Sequence, residues 1–131
     1  MAGTGCTEDV LVERAAVTSG VGMSIGSVAP QEGTNCVRNV VFRDIAFERP
    51  FKAIYIKSKC RQYSTDDYCS LDDGDALIQN ITYKNIVIAG ARQWPVYVGP
   101  QQQKEPNGVG DGIWPPANPL VSIKDIFFEN V

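Results

Sequence analysis

One seven-residue phrase recurs four times along the chain: Asp9-Val-Leu-Val-Glu-Arg-Ala15, Asn39-Val-Val-Phe-Arg-Asp-Ile45, Asn80-Ile-Thr-Tyr-Lys-Asn-Ile86 and Asp125-Ile-Phe-Phe-Glu-Asn-Val131. Each copy reads polar, apolar, any, apolar, charged, usually Asn or Asp, apolar. Alternation with period two predicts a strand whose inward residues are Val10 and Val12, Val40 and Phe42, Ile81 and Tyr83, and Ile126 and Phe128. The charged residue and the following Asp44, Asn85 or Asn130 predict a tight corner, because Asn and Asp tolerate left-handed backbone angles. A second short strand follows, as in Ile45-Ala-Phe47 and Ile86-Val-Ile88.

A third strand closes three of the copies: Gly22-Met-Ser-Ile-Gly26, Ala53-Ile-Tyr-Ile-Lys57 and Pro95-Val-Tyr-Val-Gly99. Met23 and Ile25, Ile54 and Ile56, and Val96 and Val98 should point one way. One such unit is too short to bury its own apolar face, but stacked units share a continuous core. The expectation is an all-β parallel β-helix of about three to four coils. The competing reading, a β-sandwich of unrelated strands, does not account for a repeated phrase.

Composition narrows the functions. The net charge of −3 argues against a nucleic-acid partner, which would need concentrated Lys and Arg. No apolar run is long enough to span a bilayer as a helix, so no membrane partner is expected. Histidine is absent, which excludes Ser–His and Cys–His dyads and histidine metal ligands from these residues. The four cysteines fit no zinc spacing, and neither a metal nor a cofactor is expected. Stacking places Cys6 beside Cys36, each three residues before its phrase. Matched positions in adjacent coils lie about 4.8 Å apart, within the Cα range of a disulfide. A Cys6–Cys36 disulfide and a Cys60–Cys69 clip are therefore expected, with stacked buried thiols the open alternative for the first pair. Disulfides favour a secreted protein, although no signal segment is visible at Met1 to Thr7.

The coils are unequal. Ser58 to Leu77 and Pro100 to Pro119 are long excursions, both leaving directly after a third strand, and should wall a groove over those strands. Asp66, Asp67, Asp72, Asp73 and Asp75 crowd the first; a solvated acidic loop is preferred there over a weak calcium site.

Ser19-Gly-Val-Gly-Met-Ser-Ile-Gly-Ser27, with Ala53-Ile-Tyr-Ile-Lys-Ser58 one coil later, resembles glycoside hydrolase family 28, the polygalacturonases and their relatives. Asn80-Ile-Thr-Tyr-Lys-Asn-Ile86 and Trp94-Pro-Val-Tyr-Val-Gly99 are similar to further phrases of that family, so the resemblance covers nearly the whole chain. It implies a right-handed parallel β-helix, and residues 1–131 as a partial domain incomplete on its N-terminal side. It also implies inverting hydrolysis of pectin, secretion, a polysaccharide substrate and a monomer when full length. In the family a Gly-His-Gly strand precedes an Arg-Ile-Lys strand. Here Val21 stands at the histidine position and Tyr55 at the arginine position, leaving Lys57 of the basic pair. The family's aspartates lie on upstream strands that this sequence does not contain, so no catalytic residue is expected within it.

The residues expected to bind substrate are Lys57 as cation, Tyr55 and Tyr97 as outward groove residues, and Trp94 as a stacking surface for a sugar ring. Each has a plainer reading. Lys57 could be a solvated strand end, Tyr55 an outward strand residue without a role, and Trp94 a residue packed beside Pro95. A polysaccharide-binding β-helix without catalysis, and a solenoid with no ligand, are the alternatives to a hydrolase.

Overall fold

Where polar residues bend an otherwise alternating chain decides how its strands stack. The computed structural model describes residues 5–30, 34–58, 74–100 and 119–131. Seven strands occur in them: β1 (Gly5–Thr18), β2 (Met23–Val28), β3 (Thr34–Glu48), β4 (Ile54–Ser58), β5 (Asp75–Ala89), β6 (Val96–Pro100) and β7 (Val121–Glu129). Every strand pairing is parallel. β1, β3, β5 and β7 form one sheet in that order, and β2, β4 and β6 form a second. The chain therefore crosses from the first sheet to the second and back, adding one rung to each. No helix is present among the described residues.

The long strands are bent at single left-handed residues, more often than the alternation alone suggests. Asp44, Asn85 and Asn130 have φ of 57°, 54° and 54°, at the expected corner. A second corner lies at the residue that opens each phrase: Asp9, Asn39, Asn80 and Asp125 all have φ between 56° and 58°. The strands accordingly begin upstream of the phrase, at Gly5, Thr34, Asp75 and Val121. A third corner falls at Ser19, Arg49 and Gly90, with φ of 67°, 50° and 65°. There Ser19 N–H donates to Glu48 O at 2.9 Å and Arg49 N–H to Ala89 O at 2.7 Å.

Side-chain amides run up the first two corners as ladders. Asn39 Nδ2 donates to Asp9 Oδ1 (3.1 Å) and Asn80 Nδ2 to Asn39 Oδ1 (2.9 Å). At the other corner Asn85 Nδ2 donates to Asp44 Oδ1 (3.0 Å) and Asn130 Nδ2 to Asn85 Oδ1 (3.1 Å). An amide both donates and accepts, so it can bond the coils on either side of it at once.

Inward rows fill the space between the sheets. Val40, Phe42, Ile45, Phe47, Ile54, Ile56, Ile78, Ile81, Tyr83 and Ile86 belong to one buried cluster. Val10, Val12 and Ile126 pack against it from the outer coils. Phe128 is 46 % exposed, and Val96 and Val98 are also exposed, because β7 and β6 are the last rungs of their sheets.

The edge strand β1 is held to β3 by a covalent link as well as by its ladder. Cys6 and Cys36 are register partners, 4.5 Å apart at Cα, and form a disulfide. It closes a loop with a sequence separation of 30. Loop-closure entropy for a ring of that size amounts to about 3.6 kcal/mol. The Cys6→Ser, Cys36→Ser double variant should lose on the order of that amount in urea unfolding, and an unchanged midpoint would contradict the linkage. Cys60 and Cys69 lie outside the described residues.

Candidate functional site

The outer face of the second sheet follows from its register. Ile25, Ile54 and Ile56 enter the core, so the alternate residues face away from it. Ser24, Tyr55 and Tyr97 form one such row, and Lys57 pairs with Gly99 in the next. β2 shifts register beyond Ile25, at Gly26, which has φ 104° and lies against Lys57. A methyl group on Gly26 would run into the Lys57 carbonyl oxygen and sit 3.2 Å from Lys57 Cγ, so glycine is required where β2 passes this lysine.

Tyr55 is the centre of this face and is fully covered, with 0 % exposure. The Nζ atoms of Lys57 and Lys52 each lie 4.6 Å from its ring centroid. Tyr97 meets the same ring edge-on, at 5.3 Å and 82°. An ammonium beside a ring is attracted by the ring's quadrupole, worth about 0.5–2 kcal/mol according to desolvation. Tyr97 is half-buried and its hydroxyl donates to Pro100 O at 2.9 Å. Trp94, 45 % exposed, lies 6.3 Å from Tyr97 at an interplanar angle of 43°. Trp94, Val96, Tyr97, Val98 and Pro100 line an open hollow of about 430 Å³.

The four residues expected to bind substrate thus form one connected group: Lys57 on Tyr55, Tyr55 on Tyr97, Tyr97 beside Trp94. Tyr55 lies on the outer face of the second sheet, as its strand position suggests, but it is covered rather than open to solvent. Val21 is half-buried, and its carbonyl accepts a hydrogen bond from Ser24 Oγ at 3.1 Å. Of the acidic run, Asp66, Asp67, Asp72 and Asp73 lie outside the described residues. Asp75 starts β5 and is exposed. Among the described residues no group of acidic or cysteine side chains is arranged to hold a metal ion.

Lys52 is the residue that sequence reasoning missed. It is 0 % exposed and donates from Nζ to Gln93 Oε1 at 3.0 Å. In Pro50-Phe51-Lys52-Ala53 it reads as a solvated corner charge ahead of a strand. The one available hint was its apolar setting, and nothing local indicates that Gln93 and Tyr55 will enclose it.

Charge is segregated between the two sheets. Glu8 pairs with Arg38, Glu13 with Arg43, and Glu129 with Lys84, all on the first sheet. Residues 19–30, 50–58 and 91–100, which carry the second sheet and its approaches, contain lysine and arginine but no carboxylate. The charged side chains in these described stretches are Lys52, Lys57 and Arg92.

The sequence model of glycosyl hydrolases family 28 matches residues 2–131. Searches of curated proteins and of solved structures returned no match.

Proposed function

We propose, because the chain belongs to glycosyl hydrolases family 28, that it is part of a secreted polygalacturonase-type hydrolase acting on pectin or a related cell-wall polysaccharide. Its two parallel sheets are read as the coils of a right-handed β-helix, whose second sheet is the floor of the sugar groove. The observation that carries this reading is the family match over residues 2–131. The lysine- and aromatic-lined outer face of the second sheet supports it. Lys57 takes the sugar carboxylate, while Tyr97 and exposed Trp94 supply flat apolar surface for ring faces. The disulfide joining Cys6 and Cys36 agrees with an oxidising, extracellular setting.

Inverting hydrolysis uses two carboxyl groups about 6.5–9.5 Å apart, one protonating the leaving oxygen and one activating water. The described part of the second sheet has no carboxylate, and Val21 brings no proton-transferring group to the family's histidine position. Val21, rather than the missing carboxylates, which the family carries on strands upstream of this sequence, favours a second reading: a polysaccharide-binding β-helix that does not cleave. Both readings place an anionic sugar chain on Lys57.

The test, on the full-length protein, combines calorimetric binding with reducing-sugar release on polygalacturonate, methyl-esterified pectin and a neutral galactan. Polygalacturonate should bind most tightly, and Lys57→Met should weaken it by about tenfold or more, as expected for a hydrogen bond to a charged group. Galactan binding should not respond to that substitution. Release of reducing ends selects the hydrolase; binding without release selects the non-catalytic module. Equal affinity for the neutral galactan would overturn both.

A further inference from the structure

The corner residue Asn80 opens a pattern that neither the ladder nor the groove uses. Asn80-Ile-Thr82 is the one Asn-x-Ser/Thr triplet within residues 1–131, and this triplet is the acceptor for N-linked glycans. The stacking of coils accounts for its first residue, since Asn80 donates to Asn39 in the corner ladder. Thr82 has no such explanation. Its register row holds Leu11, Val41 and Phe127 in the other coils, all apolar, so stacking does not call for a hydroxyl there.

Both residues face outward. Ile81 and Tyr83 are fully buried, so Thr82 between them points away from the core. Asn80 is exposed at a left-handed corner, with φ 56°. Beside it lies a hollow of about 420 Å³ lined by Arg38, Asn39, Gln79, Asn80, Asp125 and Phe127. Phe127 is 52 % exposed and is the register partner of Thr82. The polar wall is held in place: Gln79 Nε2 donates to Asp125 Oδ2 at 2.9 Å, and Arg38 pairs with Glu8. A flat apolar ring among amides, a carboxylate and a guanidinium suits a sugar residue. The C–H face of a sugar packs on such a ring, and its hydroxyls take hydrogen bonds from the polar wall.

We propose that Asn80 is N-glycosylated, and that the first sugar of the glycan lies in this hollow over Phe127. The donor is a lipid-linked oligosaccharide pyrophosphate of the secretory pathway. A bond forms from Asn80 Nδ2 to the anomeric carbon of the first sugar. The bond from that carbon to the pyrophosphate oxygen breaks, and Nδ2 gives up one of its two protons. The other proton keeps the bond to Asn39 Oδ1, 2.9 Å from Nδ2, so the ladder survives the modification. β5 belongs to the first sheet alone, and the glycan therefore stands apart from the proposed groove on the second. The site rests on the proposed secretory route, which the Cys6–Cys36 disulfide supports, and not on which polysaccharide the groove binds.

The experiment expresses the natural full-length coding sequence in a secreting yeast and maps the peptides by mass spectrometry. Release with a peptide N-glycosidase in oxygen-18 water should convert Asn80 to labelled aspartate. Thr82→Val should abolish that conversion and Thr82→Ser should retain it; both variants leave the ladder amide in place. After release, the fluorescence of an apolar dye should rise, and Phe127→Ser should suppress the rise. Secreted protein with the Cys6–Cys36 disulfide formed and Asn80 unmodified would overturn the site. An unchanged dye signal after release would overturn the seat over Phe127. Retention in the cell with both thiols reduced would instead remove the secretory part of the functional reading. A yeast leader fused to the full-length chain then decides the site by itself: modification of Asn80 upholds it, and an unmodified Asn80 overturns it.

Discussion

Tyr83→Ala is expected to lower unfolding free energy by about 3–5 kcal/mol, the range for deleting a large buried aromatic. Tyr83 is 0 % exposed and occupies the middle of a ring stack that runs through the coils. Phe42 lies 4.8 Å above it at 12°, and Phe128 lies 5.8 Å below it at 13°. Alanine would leave a gap that the parallel ladders on either side prevent from closing. The hydroxyl adds a second contribution, since Tyr83 Oη–H donates to Met23 O on the opposite sheet at 3.2 Å. Tyr83→Phe keeps the stack and removes only that bond, and should cost about 1 kcal/mol. Urea unfolding of the two variants separates the terms, and equal losses would contradict this division.

The same residue gives a pH dependence with a definite sign. Burial pushes the Tyr83 phenol well above its ordinary value of 10.0. The folded-state value is raised, so the stabilisation is complete below the unfolded value. It is lost as pH climbs from there toward the folded value, because the unfolded chain releases the proton first. The protein should weaken progressively above about pH 10. Tyr83→Phe should flatten the part of that slope that belongs to this group. An identical alkaline slope in Tyr83→Phe and the unmodified chain would show that the phenol is not responsible.

Residues governed by neighbours one or two positions away were legible before any coordinates. The alternation in Val40-Val-Phe42 and Ile81-Thr-Tyr83 marks the inward rows, and a lone Asp44 or Asn85 after a charge marks a corner. Two other corners were not readable in that way. Asp9, Asn39, Asn80 and Asp125 resemble the polar end of a strand, and their left-handed angles are supported by amides stacked from other coils. Ser19 and Arg49 at the third corner adopt the same angles, as does Arg14 at the corner where later coils carry Asp or Asn. They follow the bends of the coils that neighbour them. The site divides similarly. Lys57, Tyr97 and Trp94 are singled out by residue type and strand position. Burial of Tyr55 and Lys52 depends on contacts with Tyr97 and Gln93, about forty positions away along a chain whose loop lengths vary.

Gly22→Ala should be among the most damaging small substitutions in the chain, because two backbones meet there. Gly22 has φ +77°, a conformation costing an L-residue about 1–2 kcal/mol. A methyl group would also stand only 2.5 Å from the carbonyl carbon of Ala53, with the Lys52 and Ala53 carbonyl oxygens closer still. Backbone cannot rotate aside as a side chain can. Relief would require the first coil to lift from the second where Met23 N–H donates to Ala53 O at 2.9 Å. Together the strained angle and the overlap should cost about 2–5 kcal/mol. Gly20 supplies the internal control, since its φ is +84° but nothing lies within 4 Å of the position its methyl would take. Gly20→Ala should therefore show the angular cost alone, about 1–2 kcal/mol. The difference between the two variants in urea unfolding measures the overlap. Gly22 also stands between Val21 and the β2 strand, packed on the Lys52 and Ala53 carbonyls. Lifting it should displace β4, which carries Lys57, and weaken polygalacturonate binding even where the fold survives, whereas Gly20→Ala should leave that binding intact. Equal losses of stability in the two variants would show that the coils are not in close backbone contact at Gly22.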